Sequence, residues 1–279
     1  MHDYLEVLLP LVEKDLELGF SRAGTGPEIR SIMAYGVFPG GKRIRPLLCL
    51  IVADMLEKPP YRALPLATAI ELIHTFTLVH DDLPCLDDDD FRRGRPSCHK
   101  QFGEDKALLA GDALIFLALT HFIARARSEE IEPERVLAAL EELSLACGGS
   151  GVIGGQMEEL MLPTPFSAPE LLGVMEKKTA RLFALAAKGS GILCGADEKQ
   201  VKALENFGNF LGLAFQINDD LLDADKKGEV KNMVKALGKE KTKALAVEYT
   251  EKALKELDIF GEKACRLREF AHHLTGREK

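Results

Sequence analysis

The stretch His80–Pro96, HDDLPCLDDDDFRRGRP, places six aspartates within ten positions and follows them with three arginines. Like charges at this density repel one another. The preceding residues keep apolar side chains at helical spacing, but Pro84 disfavours continuation of that helix. The acids therefore lie where a helix ends, and a turn is needed to fold Asp87 back toward Asp81.

A second acidic cluster closes the segment FQINDDLLD, residues 215–223. Asp219 and Asp223 are four residues apart and share one helix face, with Asp220 beside them. Two carboxylates at this spacing repel on a bare helix, and a divalent cation reverses the sign of that interaction. One such cluster alone is equally typical of a solvated helix end, and Asp88–Asp90 are predicted to form an exposed loop.

The donor types indicate the kind of ion that two such clusters would hold. All are oxygen donors, with no His or Cys at ligand spacing, which favours Mg²⁺ or Mn²⁺ over zinc. Mg²⁺ takes few carboxylates and completes its shell with water and substrate phosphates. Arginine and lysine also bind phosphate oxygens. Basic residues lie near both clusters and after a Gly-Gly pair: Lys42, Arg43, Arg45, Arg92, Arg93, Arg95, Lys177 and Lys178.

Overall charge and composition exclude other partners. The chain has 279 residues and a formal charge of −8. Of its 44 acids, the six of the first cluster and Asp219, Asp220, Asp223 and Asp225 make ten, and the other 34 stand against 36 bases. A sequence pI near 5.5 argues against nucleic acid as a partner. Six scattered cysteines without C-x-x-C spacing indicate buried thiols in a reducing cytoplasm. Residues 107–124 contain Asp112 and His121, so they fit a buried helix better than a membrane span.

Helical spacing recurs almost throughout, without a convincing strand pattern, and predicts an all-α chain forming one domain over residues 1–279. Ser167 with Glu170 reads as a capping box, and Asp197 as a helix N-cap. The predicted helices cover about 1–19, 27–37, 42–57, 61–82, 104–128, 133–148, 150–161, 168–189, 197–224, 239–258 and 261–274.

Six segments, which occur along the chain in the family's order, resemble the trans-prenyltransferases, the polyprenyl diphosphate synthases. They are most similar to the bacterial farnesyl diphosphate synthase (geranyltranstransferase) type. The resemblance spans about residues 28–260, and the pairing of the long first aspartate motif with a second DDxxD is highly specific. The segments are GGKRIRP (40–46), ELIHTFTLVHDDLPCLDDDDFRRGRPSCH (71–99), GDALI (111–115), GGQ (154–156), KKTARLF (177–183) and FQINDDLLD (215–223).

The resemblance implies an isoprenoid-synthase helical bundle around a central active-site cavity, normally a homodimer. It implies Mg²⁺-dependent head-to-tail condensation of isopentenyl diphosphate with dimethylallyl or geranyl diphosphate to give farnesyl diphosphate. By motif position, Asp81 and Asp87 bind two Mg²⁺ ions and Asp219 a third, supported by Asp82, Asp220 and Asp223.

Motif position also implies which residues bind the two substrates. Arg92 and Lys178 hold the allylic diphosphate, and Thr179 and Gln216 lie near the reacting carbons. Isopentenyl diphosphate is held without metal by Lys42, Arg45, His74 and Arg93. A lone His on an apolar helix is more often a hydrogen-bonded core residue, and only motif position favours the binding role for His74.

Two positions before the first motif bear on product length. In the family, bulk there closes the bottom of the chain pocket, so Phe76 with the smaller Thr77 suits a fifteen-carbon product. Phe76 equally fits an ordinary core position. The ten- and twenty-carbon products therefore stay open, as does a terpene cyclase, although Leu222 stands where a cyclase carries Ser or Thr.

The segment after Asp223 is shorter than the family pattern, and its phosphate-binding lysine has no clear counterpart. Lys226, Lys227 or Lys231 would have to substitute. This departure keeps a further alternative open, a non-catalytic subunit of a heteromeric synthase.

Overall fold

The computed structural model describes residues 1–22, 24–38, 41–224 and 231–276, and nearly all regular structure in them is helical. The chain divides into two units, each described separately below. The N-terminal unit comprises His2–Leu50 and Tyr61–Ile131, and the C-terminal unit comprises Met1, Ile51–Pro60 and Glu132–Lys279.

Helix α4 forms the centre of the N-terminal unit. Its side chains are buried on nearly every face because it packs against α1, α2 and α6, and this explains why its sequence is apolar all round. The first aspartate motif begins at its last turn, so the motif is attached to the most buried helix of the unit. The helices are α1 (His2–Arg22), α2 (Pro27–Val37), α3 (Ile44–Met55, which runs into the other unit), α4 (Leu64–Asp81), α5 (Cys98–Phe102) and α6 (Glu104–Ser128).

The basic end of the opening stretch forms a small hairpin, which the sequence did not predict. Strands β1 (Phe91–Arg92) and β2 (Arg95–Pro96) pair antiparallel. The two residues between them, Arg93 and Gly94, have φ of +54° and +76°. Positive φ at both central positions is the geometry that matches two-residue turns to strand twist. Strands of two residues are too short to show an alternating pattern, which is why none was detected.

The C-terminal unit is built around α10 and α11, which are both strongly apolar and pack side by side. Their axes approach closely because Gly208 and Gly212 of α11 face the α10 side. The elements are α7 (Pro133–Cys147), α8 (Val152–Met161), α9 (Ala168–Met175), a π-helical segment (Glu176–Ala180), α10 (Arg181–Cys194), α11 (Glu198–Leu222), α12 (Met233–Leu237), α13 (Lys239–Glu256) and α14 (Cys265–Thr275), with a 3₁₀ helix at Leu257–Ala264. A second 3₁₀ helix, Pro60–Arg62, has Pro60 in this unit and its other two residues in the N-terminal unit.

Local signals placed several helix ends correctly. The capping box of Ser167 with Glu170 and the N-cap at Asp197 are confirmed, and Gln200 completes a second capping box that was not predicted. The predicted helix 168–189 was wrong at its end, because the chain stays helical to Cys194 and stops at Gly195, whose φ is +84°. The five-residue helices α5 and α12 were missed, since so short a segment carries little periodicity.

Two stretches, Glu104–Ser128 and Pro133–Met161, are long and apolar enough to cross a membrane by length and composition alone. In the first, 44% of the most apolar window is buried in the structure, and in the second 33%. The same helix α6 leaves Leu109, Phe116 and Ile123 exposed at seven-residue spacing, and we call these three residues the α6 stripe. The absence of a membrane span stays a prediction.

We expect Gly208→Ala to destabilise the C-terminal unit. A Cβ at this position would lie 2.5 Å from the carbonyl oxygen of Phe183 and 2.6 Å from Cα of Ala184, so two backbones would have to separate. Overpacking of this kind costs about 1–3 kcal/mol. Gly173→Ala is the control, because no atom lies within 4 Å of its Cβ and alanine favours helix. Urea unfolding should show a lower midpoint for Gly208→Ala and an unchanged or higher one for Gly173→Ala; equal midpoints would contradict the close packing.

Candidate active site

The turn after α4 brings the two ends of the first motif together. The N–H of Leu83 donates to the carbonyl of His80 at 3.0 Å, which closes the helix before Pro84. The N–H of Asp87 then donates to the carbonyl of Asp81 at 2.9 Å. The predicted reversal is confirmed, and it sets the backbones of Asp81 and Asp87 side by side although they cannot share a helix face.

Arg92 joins the acidic and basic halves of the opening stretch. Its Nε donates to Oδ1 of Asp82 at 2.9 Å, its Nη2 contacts the same oxygen, and Nη2 also donates to Asp89 at 2.8 Å. Asp82 is only 2% exposed, and burial raises its pKa even though the hydrogen bonds from Arg92 act in the opposite direction. In this structure, therefore, the buried carboxylate of Asp82 holds Arg92.

The loop of Asp88–Asp90 is exposed, as predicted, but its acids have basic partners. Lys100 lies 2.8 Å from Asp90 and 3.4 Å from Asp88. The charge repulsion of the six aspartates is thus relieved within the N-terminal unit by bases that follow them closely in sequence.

A group of cations surrounds His74 on α4. Burial and the positive charges of Arg45 and Arg93 hold the pKa of His74 well below its usual range, so the imidazole is neutral near pH 7. The guanidinium of Arg93 lies over the backbone of Gly41, where a Cβ would come within 3.1 Å of its Nη2. The structure therefore brings three of the four residues predicted to hold isopentenyl diphosphate to one place, and the fourth, Lys42, is exposed on the adjoining segment.

Arg43 differs from its basic neighbours. The sequence grouped it with Lys42 and Arg45 as a phosphate-binding base, yet its side chain is fully buried and bonded to Glu13 and Glu71. That grouping was wrong, because tertiary contacts and not residue type decide which way each base points.

The three aspartates of the second motif differ in burial. Asp220 is 2% exposed, and its Oδ1 accepts from Nε2 of Gln216 at 3.1 Å while Oδ2 accepts from the N–H of Met233 at 2.6 Å. Nδ2 of Asn232 donates to the Asp220 carbonyl at 3.0 Å. Asp219 and Asp223 are only partly buried. Asp220 thus anchors the chain that leads into α12, a contact that its motif position does not reveal.

The π-helical segment contains two further predicted site residues, Lys178 and Thr179. Oγ1 of Thr179 donates to Oε1 of Gln216 at 3.0 Å, so the two residues predicted to lie near the reacting carbons are in contact. Gly155 of α8 permits this arrangement, because a Cβ there would lie 2.6 Å from the amide nitrogen of Lys178. Single π turns occur often at functional sites.

Glu159 accepts hydrogen bonds from two lysines of this region. Nζ of Lys178 donates to its carboxylate, and Nζ of Lys231 donates to its carbonyl oxygen. Of the three lysines considered as phosphate contacts after the second motif, Lys231 therefore lies beside Lys178, whereas Lys226 and Lys227 fall outside the described residues.

The two positions predicted to set product length lie one turn from His80. Phe76 is buried and its ring meets the His80 ring edge-on at 5.4 Å between centroids. The hydroxyl of Thr77 donates to the carbonyl of His74 at 2.8 Å. His80 in turn needs Gly111, where a Cβ would come 2.1 Å from its Nε2. Gly111 of the GDALI segment thus leaves the space that His80 needs beside Phe76.

The donors present fit a hard divalent cation. Among the described residues, no group of three or more His, Cys, Asp or Glu side chains is arranged to hold a metal ion. Mg²⁺ characteristically binds through one or two carboxylates and takes its other ligands from water and phosphate. The carboxylate-only motifs, with Asp81 and Asp87 fixed next to each other by the backbone, match that requirement.

Comparison with known proteins agrees with these motifs. A family model described as polyprenyl synthetase matches residues 26–266. The farnesyl diphosphate synthase of Bacillus subtilis is 36% identical over 235 residues, covering 83% of this chain and 77% of that protein. The Arabidopsis thaliana protein named heterodimeric geranylgeranyl pyrophosphate synthase large subunit 1 is 38% identical over 217 residues, 76% of this chain and 58% of that protein.

Solved structures match over nearly the whole chain. An FPP/GFPP synthase from Zymomonas mobilis superposes with a TM-score of 0.89 at 32% identity, covering 98% of this chain and all of that one. A geranyltransferase from Legionella pneumophila gives a TM-score of 0.90 at 31% identity, covering 99% and 97%. The predicted all-α isoprenoid-synthase fold and the family resemblance are confirmed.

We expect Asp220→Ala to release the Met233 amide even without metal or substrate. That N–H would lose its acceptor, and an unpaired buried donor costs about 1–3 kcal/mol, so its hydrogen exchange should accelerate about tenfold or more. Asp223→Ala, in the same motif, is the control and should leave Met233 protected. Unchanged exchange at Met233 in Asp220→Ala would show that Asp220 is not the anchor.

Proposed function

The chain belongs to the polyprenyl synthetase family, and we propose that it condenses isopentenyl diphosphate head-to-tail with dimethylallyl or geranyl diphosphate to give farnesyl diphosphate and diphosphate. The observation that carries this proposal is the set of Arg45, Arg93 and neutral His74 beside the first aspartate motif. Guanidinium groups gathered around a neutral imidazole suit an anion that arrives without metal, and an acidic motif suits one that arrives with it.

The carboxylates divide into metal-binding and positioning residues. In the N-terminal unit Asp81 and Asp87 would hold two Mg²⁺ ions, and in the C-terminal unit Asp219, supported by Asp223, would hold a third; Mn²⁺ could substitute. When bound, the metal would supply positive charge that stabilises the departing diphosphate. Asp82 and Asp220 act indirectly, since their buried carboxylates hold Arg92 and the Met233 amide.

Arg92 and Lys178 bind the allylic diphosphate. Each is paired in the free protein, Arg92 with Asp82 and Lys178 with Glu159, and both pairs are partly exposed at the basic partner. The Lys178–Glu159 pair is partly exposed at both partners, and such pairs contribute little stability, so exchanging Glu159 for a diphosphate oxygen is inexpensive. Arg92 binds diphosphate while it keeps its bonds to the buried Asp82, because taking it away would leave a buried charge unpaired. Diphosphate carries more charge than a carboxylate and attracts both cations more strongly.

The bond changes follow from this placement. Heterolysis of the allylic C1–O bond gives a carbocation and diphosphate, and the double bond of isopentenyl diphosphate supplies the electron pair of the new C–C bond. A proton then leaves C2 of the isopentenyl unit, with the released diphosphate as its acceptor. Thr179 and Gln216 present neutral dipoles, which stabilise a nearby cation without capturing it.

The cysteines and one exposed apolar surface bear on the cellular location and oligomeric state of the enzyme. All six cysteines are free thiols, which fits a cytoplasmic protein. The α6 stripe leaves Leu109, Phe116 and Ile123 at 59%, 67% and 41% exposure, a surface that a second copy of the chain would cover in a homodimer. The whole chain, residues 1–279, works as one polyprenyl synthase domain without a membrane span or nucleic-acid partner.

Product length has a second candidate. Geranylgeranyl pyrophosphate synthases of Arabidopsis thaliana and Capsicum annuum are among the relatives, at 38% and 36% identity. These relatives favour a twenty-carbon product, whereas the buried ring of Phe76 favours a fifteen-carbon one. A ten-carbon product is the shortest of the three alternatives. One relative is the large subunit of a heterodimeric geranylgeranyl pyrophosphate synthase, so a non-catalytic subunit is the alternative to an active enzyme.

Purified protein incubated with Mg²⁺, isopentenyl diphosphate and geranyl diphosphate should yield farnesyl diphosphate, identified by chromatography of the dephosphorylated product. Removing the metal with EDTA should abolish product formation, because the carboxylates of the motifs would then repel the diphosphate. Absence of product with every allylic primer would contradict the proposal and favour a non-catalytic subunit.

Phe76→Ala should lengthen the product beyond fifteen carbons, because loss of the ring opens the wall next to His80. Phe270→Ala is the matched control, since it removes the same buried ring from α14 in the other unit and should leave the product unchanged. Product chain length is measured for both variants with the same primers. An unchanged fifteen-carbon product from Phe76→Ala would refute the role of this ring.

A further inference from the structure

Arg43 is a fully buried cation in a backbone conformation that side chains rarely adopt. Its φ is +47°, and its side chain has no exposed surface. A non-glycine residue in this region is strained and persists only where the surrounding contacts hold it. The conformation turns Arg43 inward while its neighbour Lys42 stays exposed.

The contacts of Arg43 tie three helices together. Nε donates to Glu13 of α1 at 2.7 Å, and Nη1 donates to Glu71 of α4 at 2.6 Å. Nη2 donates to the carbonyl of Val37 at the end of α2 at 2.9 Å and to the second Glu13 oxygen at 3.3 Å. These bonds use four of the five N–H groups of the guanidinium, so Arg43 is a crosslink and not a substrate contact.

The crosslink lies directly against the cations around His74. Glu71 precedes His74 by three residues on α4, so the two share a helix face. Glu71 and Glu13 attract Arg93 electrostatically, whereas Arg43 and Arg92 repel it. Two carboxylates against one guanidinium leave a net negative charge, which offsets part of the repulsion among Arg45, Arg93 and Arg92.

We propose that Glu13, Arg43 and Glu71 form a brace that positions Lys42, Arg45 and Arg93 for isopentenyl diphosphate; this rests on the function proposed above. The brace fixes the start of α3 relative to α4, and its excess negative charge lets the cations approach one another before substrate binds. Glu13 lies ahead of residue 26, where the family match begins, so α1 contributes to the site from outside the matched segment.

The test separates positioning from general stability. Glu71→Gln keeps the shape of the side chain but removes its charge, and Glu13→Gln, whose side chain is 33% exposed, is a milder second variant in case the first fails to fold. We expect KM for isopentenyl diphosphate to rise on the order of tenfold, with KM for geranyl diphosphate changed less than about twofold. Arg43→Lys should behave like Glu71→Gln, because lysine cannot bridge both carboxylates.

Asp15→Asn is the matched control. Asp15 lies on the same helix α1, is 4% exposed, and bonds Thr68 of α4 at 2.7 Å and His121 of α6 at 2.8 Å. The Asp15→Asn variant therefore disrupts a comparable buried hydrogen-bond network, but one that lies away from the cations around His74. Its KM for isopentenyl diphosphate should stay unchanged at a similar loss of thermal stability.

The outcomes distinguish the two proposals. An inactive wild-type protein would refute the proposed function, and the brace with it. An active wild type whose Glu71→Gln and Glu13→Gln variants keep the KM for isopentenyl diphosphate, or an Asp15→Asn variant that raises it equally, would refute the brace alone. As a readout independent of turnover, inorganic diphosphate in EDTA should bind wild type and Asp15→Asn alike and bind Glu71→Gln on the order of tenfold more weakly.

Discussion

Pairing of carboxylates with guanidinium and ammonium groups is the interaction on which the rest of this structure depends. A chain that places six aspartates within ten positions must offset their repulsion before any ligand arrives. Arg92 and Lys100 do this for Asp82 and Asp89–Asp90, and Arg43 is itself held by two glutamates. The free protein is therefore folded around charges that are largely matched within each unit.

These pairs differ in whether they can exchange. Arg92 and Lys178 keep part of their side chains exposed, so both can be reached by a ligand from solvent, although the Asp82 partner of Arg92 is buried. The pair of Arg43 with Glu71 is buried on both sides, and breaking it would leave an uncompensated charge at a cost of about 3–5 kcal/mol. The exposure of the basic side chain thus distinguishes the two bases proposed to bind substrate from the base proposed to support them.

The sequence predicted what local rules determine. Pro84 required the turn that returns Asp87 to Asp81, and capping residues located the starts of α9 and α11. It did not distinguish Arg43 from Lys42, because that difference depends on Glu13, thirty residues earlier. Nor did it reveal that Asp220 bonds Met233 or that a π turn carries Thr179, since neither tertiary contact nor helix type follows from spacing.

We propose that the carboxylates of both motifs become metal ligands when diphosphate is present to complete the coordination. Mg²⁺ binding, measured by titration calorimetry with and without saturating inorganic diphosphate, tests this directly. We expect diphosphate to tighten Mg²⁺ binding on the order of tenfold or more, because phosphate oxygens supply further ligands. Equal Mg²⁺ affinity in the two titrations would contradict it.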